Sequence, residues 1–376
     1  MHRIQFQYSL SDTRGPALIR NPLIDLLHAV ENNGSISGAA RQLGYSYRHV
    51  WGELKRWEDE LGHGLIVWEK GQPARLTEFG TKLLWAERQA QARLQAQIEN
   101  LRADLERAYA VAFDPSTHVL SFHASHDDAL TALREHARGR KLHLDIRFTG
   151  SVDAIRALNE GRCMMAGFHT RMHPPVGSLA QRTYKPMLKP GLHKIIGFAR
   201  RTQGLIVAPG NPLGLTGLKD LASGKVRFAN RALGTGTRLL LEELLAEQGI
   251  SADAIDGFDS AEPSHAAIAQ AVASGQADAG MGIEASARAR GLDFIPVVEE
   301  QYHLACLKSA LGESGVQTLL DVLAGTDWQN TLAQLAGYTP EHSGEVLAMS
   351  RVLPWWRYRT KKHPASAVTS PATTPT

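Results

Sequence analysis

Cysteine is nearly absent from this 376-residue chain: Cys163 and Cys306 stand far apart, outside any CxxC spacing. That count excludes a disulfide framework and a structural zinc site built on thiolates. No run of 18 apolar residues occurs, so a membrane-spanning helix is not expected. The opening MHRIQFQYSLSDTRGP lacks the apolar stretch of a secretory signal, and the expected location is the cytoplasm. An excess of one charge is missing too. With 41 basic and 38 acidic residues the chain is no polycation, so binding to nucleic acid has to come from placement rather than bulk charge. GxxxxGK[ST] is absent, and the GTGTR stretch breaks the GxGxxG fingerprint at Leu239, which argues against a nucleotide site. His123, His126, Asp127 and Asp128, or His169 and His173 before Pro174 and Pro175, form no coherent metal-ligand set. No nucleophile elbow or paired carboxylates suggest catalysis, so no metal, cofactor or enzymatic activity is expected.

What is present falls into two textures. Up to about Phe113 the apolar spacing predicts helices over 22–31, 37–43, 47–61 and 77–112. Between the last two, LIVWEKGQPARLT reads as a two-stranded hairpin, a wing. In GSISGAARQLGYSYRHVWGELKRWEDELG, Ala39 and Ala40 permit close helix crossing, Gly44 permits a sharp turn, and Ser46 can cap the next helix. On that helix Val50, Leu54, Trp57 and Leu61 form the expected buried stripe. The opposite surface carries Tyr47, Arg48, His49, Trp51 and Lys55, a set suited to the major groove. Lys70, Gln72 and Arg75 on the wing are within plausible reach of phosphates. The alternative is a small helical cap with solvated charges.

From His118 onward, strands ending in Ser or Thr run directly into helices, as in HVLSFHAS–HDDALTALREHARG and HLDIRFTGS–VDAIRALNEG. This pattern predicts a parallel α/β architecture with Ser125 and Asp128 serving at a helix start. Helix starts leave backbone N–H groups free to bind anions, and Ser125, Ser151 and the run Thr235, Gly236, Thr237 can converge on one cleft. Taken singly, each such serine is more simply a cap. Arg201 and Arg238 are candidate charged partners, with Arg238 equally able to face solvent; His169 either lines the cleft or sits in the core; Asp278 reads as structural.

These segments resemble known families. NGSISGAARQLGYSYRHVWGELKRWE, the wing and LTEFG resemble the winged helix-turn-helix of LysR-type and ModE-type regulators over about residues 23–84. From about 117 to 356, ASHDDAL, FTGSVDAIRALNEGRCMMAGFH, RTQGLIVAPGNPLGLTGLKDL, FANRALGTGTRLLLEELL and SHAAIAQAVASGQADAGMGI resemble a periplasmic-binding-protein-like domain of the molybdate-binding type. The resemblance implies a multidomain fold: winged helix-turn-helix over 1–76, a dimerisation helix over 77–113 and a two-lobed α/β sensing domain over 117–358; the stretch 361–376, rich in Pro, Ser, Thr and Ala, is expected from its composition to be a disordered tail. It also implies that Ser125 and Ser151 act as paired oxyanion-binding serines and that Tyr302 adds a hydroxyl. GRCMMAGFH departs from that pattern near Met164, where relatives carry an acidic residue. The function so implied is a cytoplasmic one-component transcription regulator, homodimeric with a tetramer left open. It would bind a double-stranded operator under control of a small oxyanion, molybdate or tungstate first and formate or another small carboxylate second. The alternative is an enzyme or pathway protein of molybdenum-cofactor metabolism.

Overall fold

The computed structural model describes residues 21–69 and 72–356. The expected tail over 361–376 and Lys70 lie outside the described residues.

Helices α1 (Pro22–Asn33), α2 (Ile36–Leu43) and α3 (Tyr47–Leu61) precede a hairpin of β1 (Ile66–Val67) and β2 (Arg75–Leu76), and then α4 (Glu78–Phe113). Each start is chemically marked. Asn21, Ser35, Ser46 and Thr77 accept backbone N–H bonds at the four N-termini, which otherwise leave those donors unpaired. Gly34, Gly44 and Gly62 end the first three helices in the left-handed conformation, φ 59–71°, where a side chain would be strained. Leu26, Leu27, Val30, Ala39, Val50 and Leu54 form the core. Trp57 and Leu61, expected in the stripe, are only half-buried at its edge. The 36-residue α4 stops at Asp114, whose carboxylate accepts from the backbone and hydroxyl of Ser116.

The second part begins β3 (His118–Ala124), α5 (Asp128–Arg138), β4 (Leu142–Phe148), α6 (Ser151–Asn159), β5 (Met165–Arg171) and α7 (Leu179–Tyr184). It continues with β6 (His193–Val207), β7 (Phe228–Ala229), α8 (Gly236–Gln248), α9 (His265–Ala273), β8 (Ala279–Ile283), α10 (Glu284–Arg288) and β9 (Asp293–Leu307). Helices α11 (Ser314–Ala324) and α12 (Thr326–Ala333), strands β10 (Tyr338–Thr339) and β11 (Val346–Leu347), and α13 (Met349–Val352) complete it.

The sheet order is β4-β3-β5-β9-β6-β8-β7. The all-parallel expectation needs correction: β3 is parallel to β4 and β5, and β7 to β8, but β6 and β9 run antiparallel to each other and to their neighbours. Both are 15 residues long, pair from His193↔Leu307 to Val207↔Asp293, and pass through both lobes. The crossing strands follow from the two-lobed plan, because a chain that leaves one βα lobe and returns needs two antiparallel strands. One lobe packs Leu120, Phe122, Leu144, Ile146 and Trp328 around β3 and β4. The other packs Leu205, Leu221, Leu241 and Met281 around β8.

Helix α4 lies against both lobes. On the first, the Asn100 side chain bonds both polar groups of the Phe148 backbone, and Glu99 pairs with Arg134 at 2.6 Å, each 1% exposed. On the second, Arg93 grips the Glu262 carboxylate with two N–H bonds, and the Ser264 hydroxyl donates to the Ala92 carbonyl. No described helix is long and apolar enough to cross a membrane.

Candidate functional site

Two surfaces carry the sequence-derived candidates. On α3, Ser46 is the cap, its Oγ accepting from His49 N at 3.1 Å, while Tyr47, Arg48, His49 and Lys55 are exposed. Val50 and Leu54 turn inward, so helical periodicity puts Arg48 and its neighbours where a groove could be entered. Trp51 stacks edge-on with Trp68 of the wing, 6.2 Å between ring centres, and Lys55 sits over the Trp51 ring while pairing with Glu58. That places Trp51 in the packing between helix and wing. Gln72 and Arg75 are exposed on the wing.

The second surface is the meeting of the lobes. Strands β3 and β4 are neighbours and end at the same sheet edge, which carries Ser125 and Ser151 together: their hydroxyls are 3.4 Å apart and buried. Neither is a side-chain cap. Asp127, not Ser125, caps α5 by accepting from Ala129 N, and α6 starts after Gly150 with Ser151 as its first residue. Both hydroxyls are therefore free of the duty that usually explains such serines. Ser151 Oγ lies 3.4 Å from His169 Nδ1, and the His169 ring packs against Tyr302, 3.9 Å between centres and tilted by 34°.

The start of α8 closes in from the other lobe. A Cβ on Gly236 would stand 3.2 Å from Ser151 Oγ and 3.1 Å from His169 Cβ, so the backbone itself approaches the serines. Thr235 caps α8 and Thr237 accepts from Gln203 Nε2 at 2.8 Å, which gives both hydroxyls structural work beside the cleft. Two helix starts thus face one another, each with a positive end.

The arginines depart from expectation. Arg201 is buried between Asp127 and Glu300, bonded to both, with Tyr338 alongside. Burial pulls its pKa down, yet Glu300, Tyr338 and Asp127 together hold it well above the usual value. Arg201 is a structural tie between crossing strands. Arg238 is turned away: it bonds Glu242 and the Phe258 carbonyl and stacks on the Phe258 ring at 4.0 Å, because the third residue of α8 points to the helix flank. Asp278 pairs with Arg227 at the surface, as its structural reading expected.

Around this cleft several buried polar atoms have no partner: Nε2 of His169 and the Tyr302 hydroxyl, both candidates from the sequence, and His126 Nε2, His265 Nδ1, and Nε and Nη1 of Arg231, which the sequence reading does not place there. Buried donors and acceptors are nearly always paired, and an unpartnered cluster is a mark of a ligand site. Burial holds His126 down at about 4 and His169 and His265 well below 6.5, so the rings are neutral at pH 7. His303, on β9, is held down at about 3 by the same cause.

These shifts predict the direction of acid sensitivity. A histidine of lowered folded pKa adds stability that is full above about 6.5 and lost as pH falls from there toward 4. Asp128 has the opposite sign, since burial raises it to about 6 and its contribution is lost as pH rises through that value. The histidines outnumber it. Chemical denaturation at pH 7 and pH 5 is expected to show a loss of about 2 kcal/mol at the lower pH. Equal stability at both values would mean that these rings are not buried neutral.

Residues 23–81 match the profile of the bacterial regulatory helix-turn-helix proteins of the lysR family, and residues 132–324, half of the chain, match the PBP superfamily domain. YvgK of Bacillus subtilis (strain 168), an uncharacterised protein, is 31% identical over 201 residues, 54% of this chain. The match spans 64% of YvgK, less than two thirds of its length. An uncharacterised protein from the 5′ region of the 2Fe-2S ferredoxin gene of Clostridium pasteurianum is 31% identical over 110 residues, 29% of this chain and 97% of that protein. Among solved structures, full-length BenM covers 83% of this chain and 96% of its own at 14% identity and TM-score 0.40. CbnR complexed with its target DNA covers 80% and 98% at 16% identity and TM-score 0.38. The sequence profiles decide the matter: this chain belongs to the PBP superfamily and joins that domain to a helix-turn-helix of the lysR family of bacterial regulators.

Proposed function

We propose that the chain is a one-component transcription regulator whose PBP-like domain binds a small oxyanion between its lobes and thereby changes operator binding by the winged helix-turn-helix. The observation carrying the effector reading is the facing pair Ser125 and Ser151, two buried hydroxyls 3.4 Å apart that cap nothing, beside the unpartnered Nε2 of His169 and the approaching start of α8. Hydroxyls and helix-start N–H groups suit molybdate or tungstate first, and formate or another small carboxylate second. A thermal-shift series with molybdate, tungstate, sulfate, phosphate, formate and acetate tests it. An anion at about 100 times its Kd should add about 2.7 kcal/mol. No shift with any of them would reject a small-oxyanion effector.

Operator contact is assigned to α3 and the wing, with Ser46, Tyr47, Arg48, His49, Lys55, Gln72 and Arg75 as the facing residues. Arg48→Ala is expected to weaken operator binding by about 5- to 150-fold while leaving anion binding intact, checked by fluorescence anisotropy on duplex DNA. The working unit is a homodimer paired along α4, supported by the exposed Leu101, Leu105 and Tyr109 at spacings of four on one face.

The same helix offers the switch. Asn100 holds Phe148, three residues before Ser151, and Arg93 holds Glu262, whose backbone is bonded to Asn230 and Ala232 ahead of α8. Seven residues apart, the two clamps fall on one face of α4, each tied to one of the loops that meet at the cleft. Lobe movement on binding therefore strains one clamp or the other and reaches the DNA-binding module through a single rigid helix. Asn100→Ala is expected to leave the anion's Kd within about threefold but to remove most of its effect on operator affinity, a coupling typically worth 1–3 kcal/mol. Titrating operator binding with and without anion checks this. Undiminished coupling would discard the clamp as the route.

A further inference from the structure

Arg231 is separated from the end of β7 by one residue and is 1% exposed. Its Nη2 donates to the neutral Pro263 carbonyl at 3.1 Å, and its Nε and Nη1 have no acceptor. No carboxylate among the described residues stands within ion-pair distance of it. The nearby acids are otherwise engaged: Asp127 and Glu300 are bonded to Arg201, and Glu262 to Arg93. A guanidinium in this position is costly, and burial drags its pKa down to about 9, with the Arg201 charge next in effect. It still carries its proton at pH 7. Its charge also bears on the His126, His169 and His265 rings, so it lies with them at the junction of the lobes.

The sequence suggested Arg201 and Arg238 as the charged partners of an effector, and both are consumed by protein acceptors. Arg231 is not. A buried guanidinium with no carboxylate partner and with N–H groups left open draws an oxyanion, and the unpartnered His126 and His169 nitrogens supply further polar contacts.

We propose that Arg231 is the charge anchor of the effector cleft, its uncompensated charge and open N–H groups holding an anionic effector while the Ser125 and Ser151 hydroxyls hold the other side. The proposal rests on the small-oxyanion reading of the cleft and assigns the residue that makes negative charge a requirement. A neutral solute of the same size would leave the buried cation unanswered and would bind poorly.

The test compares wild type with Arg231→Met, using sodium molybdate and sodium formate in calorimetric titrations alongside the ligand-free melting temperature. The expected result is a Kd for the bound anion weakened at least 30-fold, with a ligand-free melting temperature unchanged or raised, because an uncompensated charge has been removed. Arg231→Gln, which keeps a donor for the Pro263 carbonyl without the charge, carries the same test if the methionine variant does not fold. Binding within threefold of wild type in the variant overturns the anchor while the oxyanion reading stands. Loss of binding together with a lower ligand-free melting temperature marks a structural arginine and also overturns it. Wild type that binds neither anion removes the oxyanion reading and the anchor with it.

Discussion

Replacing Ser125 and Ser151 together with alanine is expected to weaken oxyanion binding by about 10²- to 10⁴-fold. Each hydroxyl would donate to a charged oxygen, and such bonds are worth about 1.5–3 kcal/mol apiece. Folding should be nearly untouched, because neither side chain caps its helix: Asp127 does so for α5, and Gly150 precedes α6 without a side-chain bond. The contacts that are lost, between the two hydroxyls and from Ser151 Oγ to His169 Nδ1, are both long at 3.4 Å, and little goes with them. Operator affinity without anion should equal that of wild type, and the response to anion should vanish. Calorimetric titration of the double variant checks the first claim. A Kd within a few-fold of wild type would move the effector elsewhere.

Glu99→Ala is expected to destabilise the protein by about 3–5 kcal/mol, the cost typical of stranding one member of a buried ion pair. Arg134, 1% exposed, bonds Glu99 through Nη1, has no partner for Nε or Nη2, and lies 5.6 Å from the Phe148 ring. Without the carboxylate the guanidinium stays buried with no counterion of comparable geometry. The melting temperature should fall by on the order of 10 °C. Adding Arg134→Met should recover much of the loss, since an apolar pair of similar volume is often as stable as the ion pair it replaces. Thermal melts of the single and double variants decide it. A Glu99→Ala protein melting within 2 °C of wild type, taking about 2–4 °C per kcal/mol, would show that α4 is not anchored to the first lobe by this pair.

Local chemistry made the DNA-binding module readable. Ser46 and Gly44 announce a helix start and a sharp turn through caps that depend only on neighbours in sequence, and both occur as expected. Ser125 and Ser151 were legible for a related reason: each follows a strand, and adjacent parallel strands bring their ends together. Their freedom from capping was not legible, because the choice between Ser125 and Asp127 as cap depends on where α5 begins, a matter of two residues.

What escaped the sequence is what long-range topology decides. Arg201 looked available because nothing local to RTQGLIV supplies an acid; Asp127 lies 74 residues before it and Glu300 99 after. Arg231 drew no reading from the sequence, and only the order of β8 and β7 in the sheet buries it beside His126 and His265. Arg238, left open between cleft and solvent, takes neither place, since the third residue of a helix points along its flank and here meets Phe258. The crossing strands β6 and β9 were obscured by strand–helix units on either side that predict parallel pairing.

The central claim is that one small anion changes the grip on DNA. Its most direct test is the affinity of the protein for an operator selected from a random duplex library, measured by fluorescence anisotropy with and without whichever anion raises the melting temperature. At least a fivefold change in Kd, in either direction, is expected, and it should be absent from the Ser125→Ala, Ser151→Ala double variant. An anion that demonstrably binds and leaves operator affinity unchanged would contradict the account.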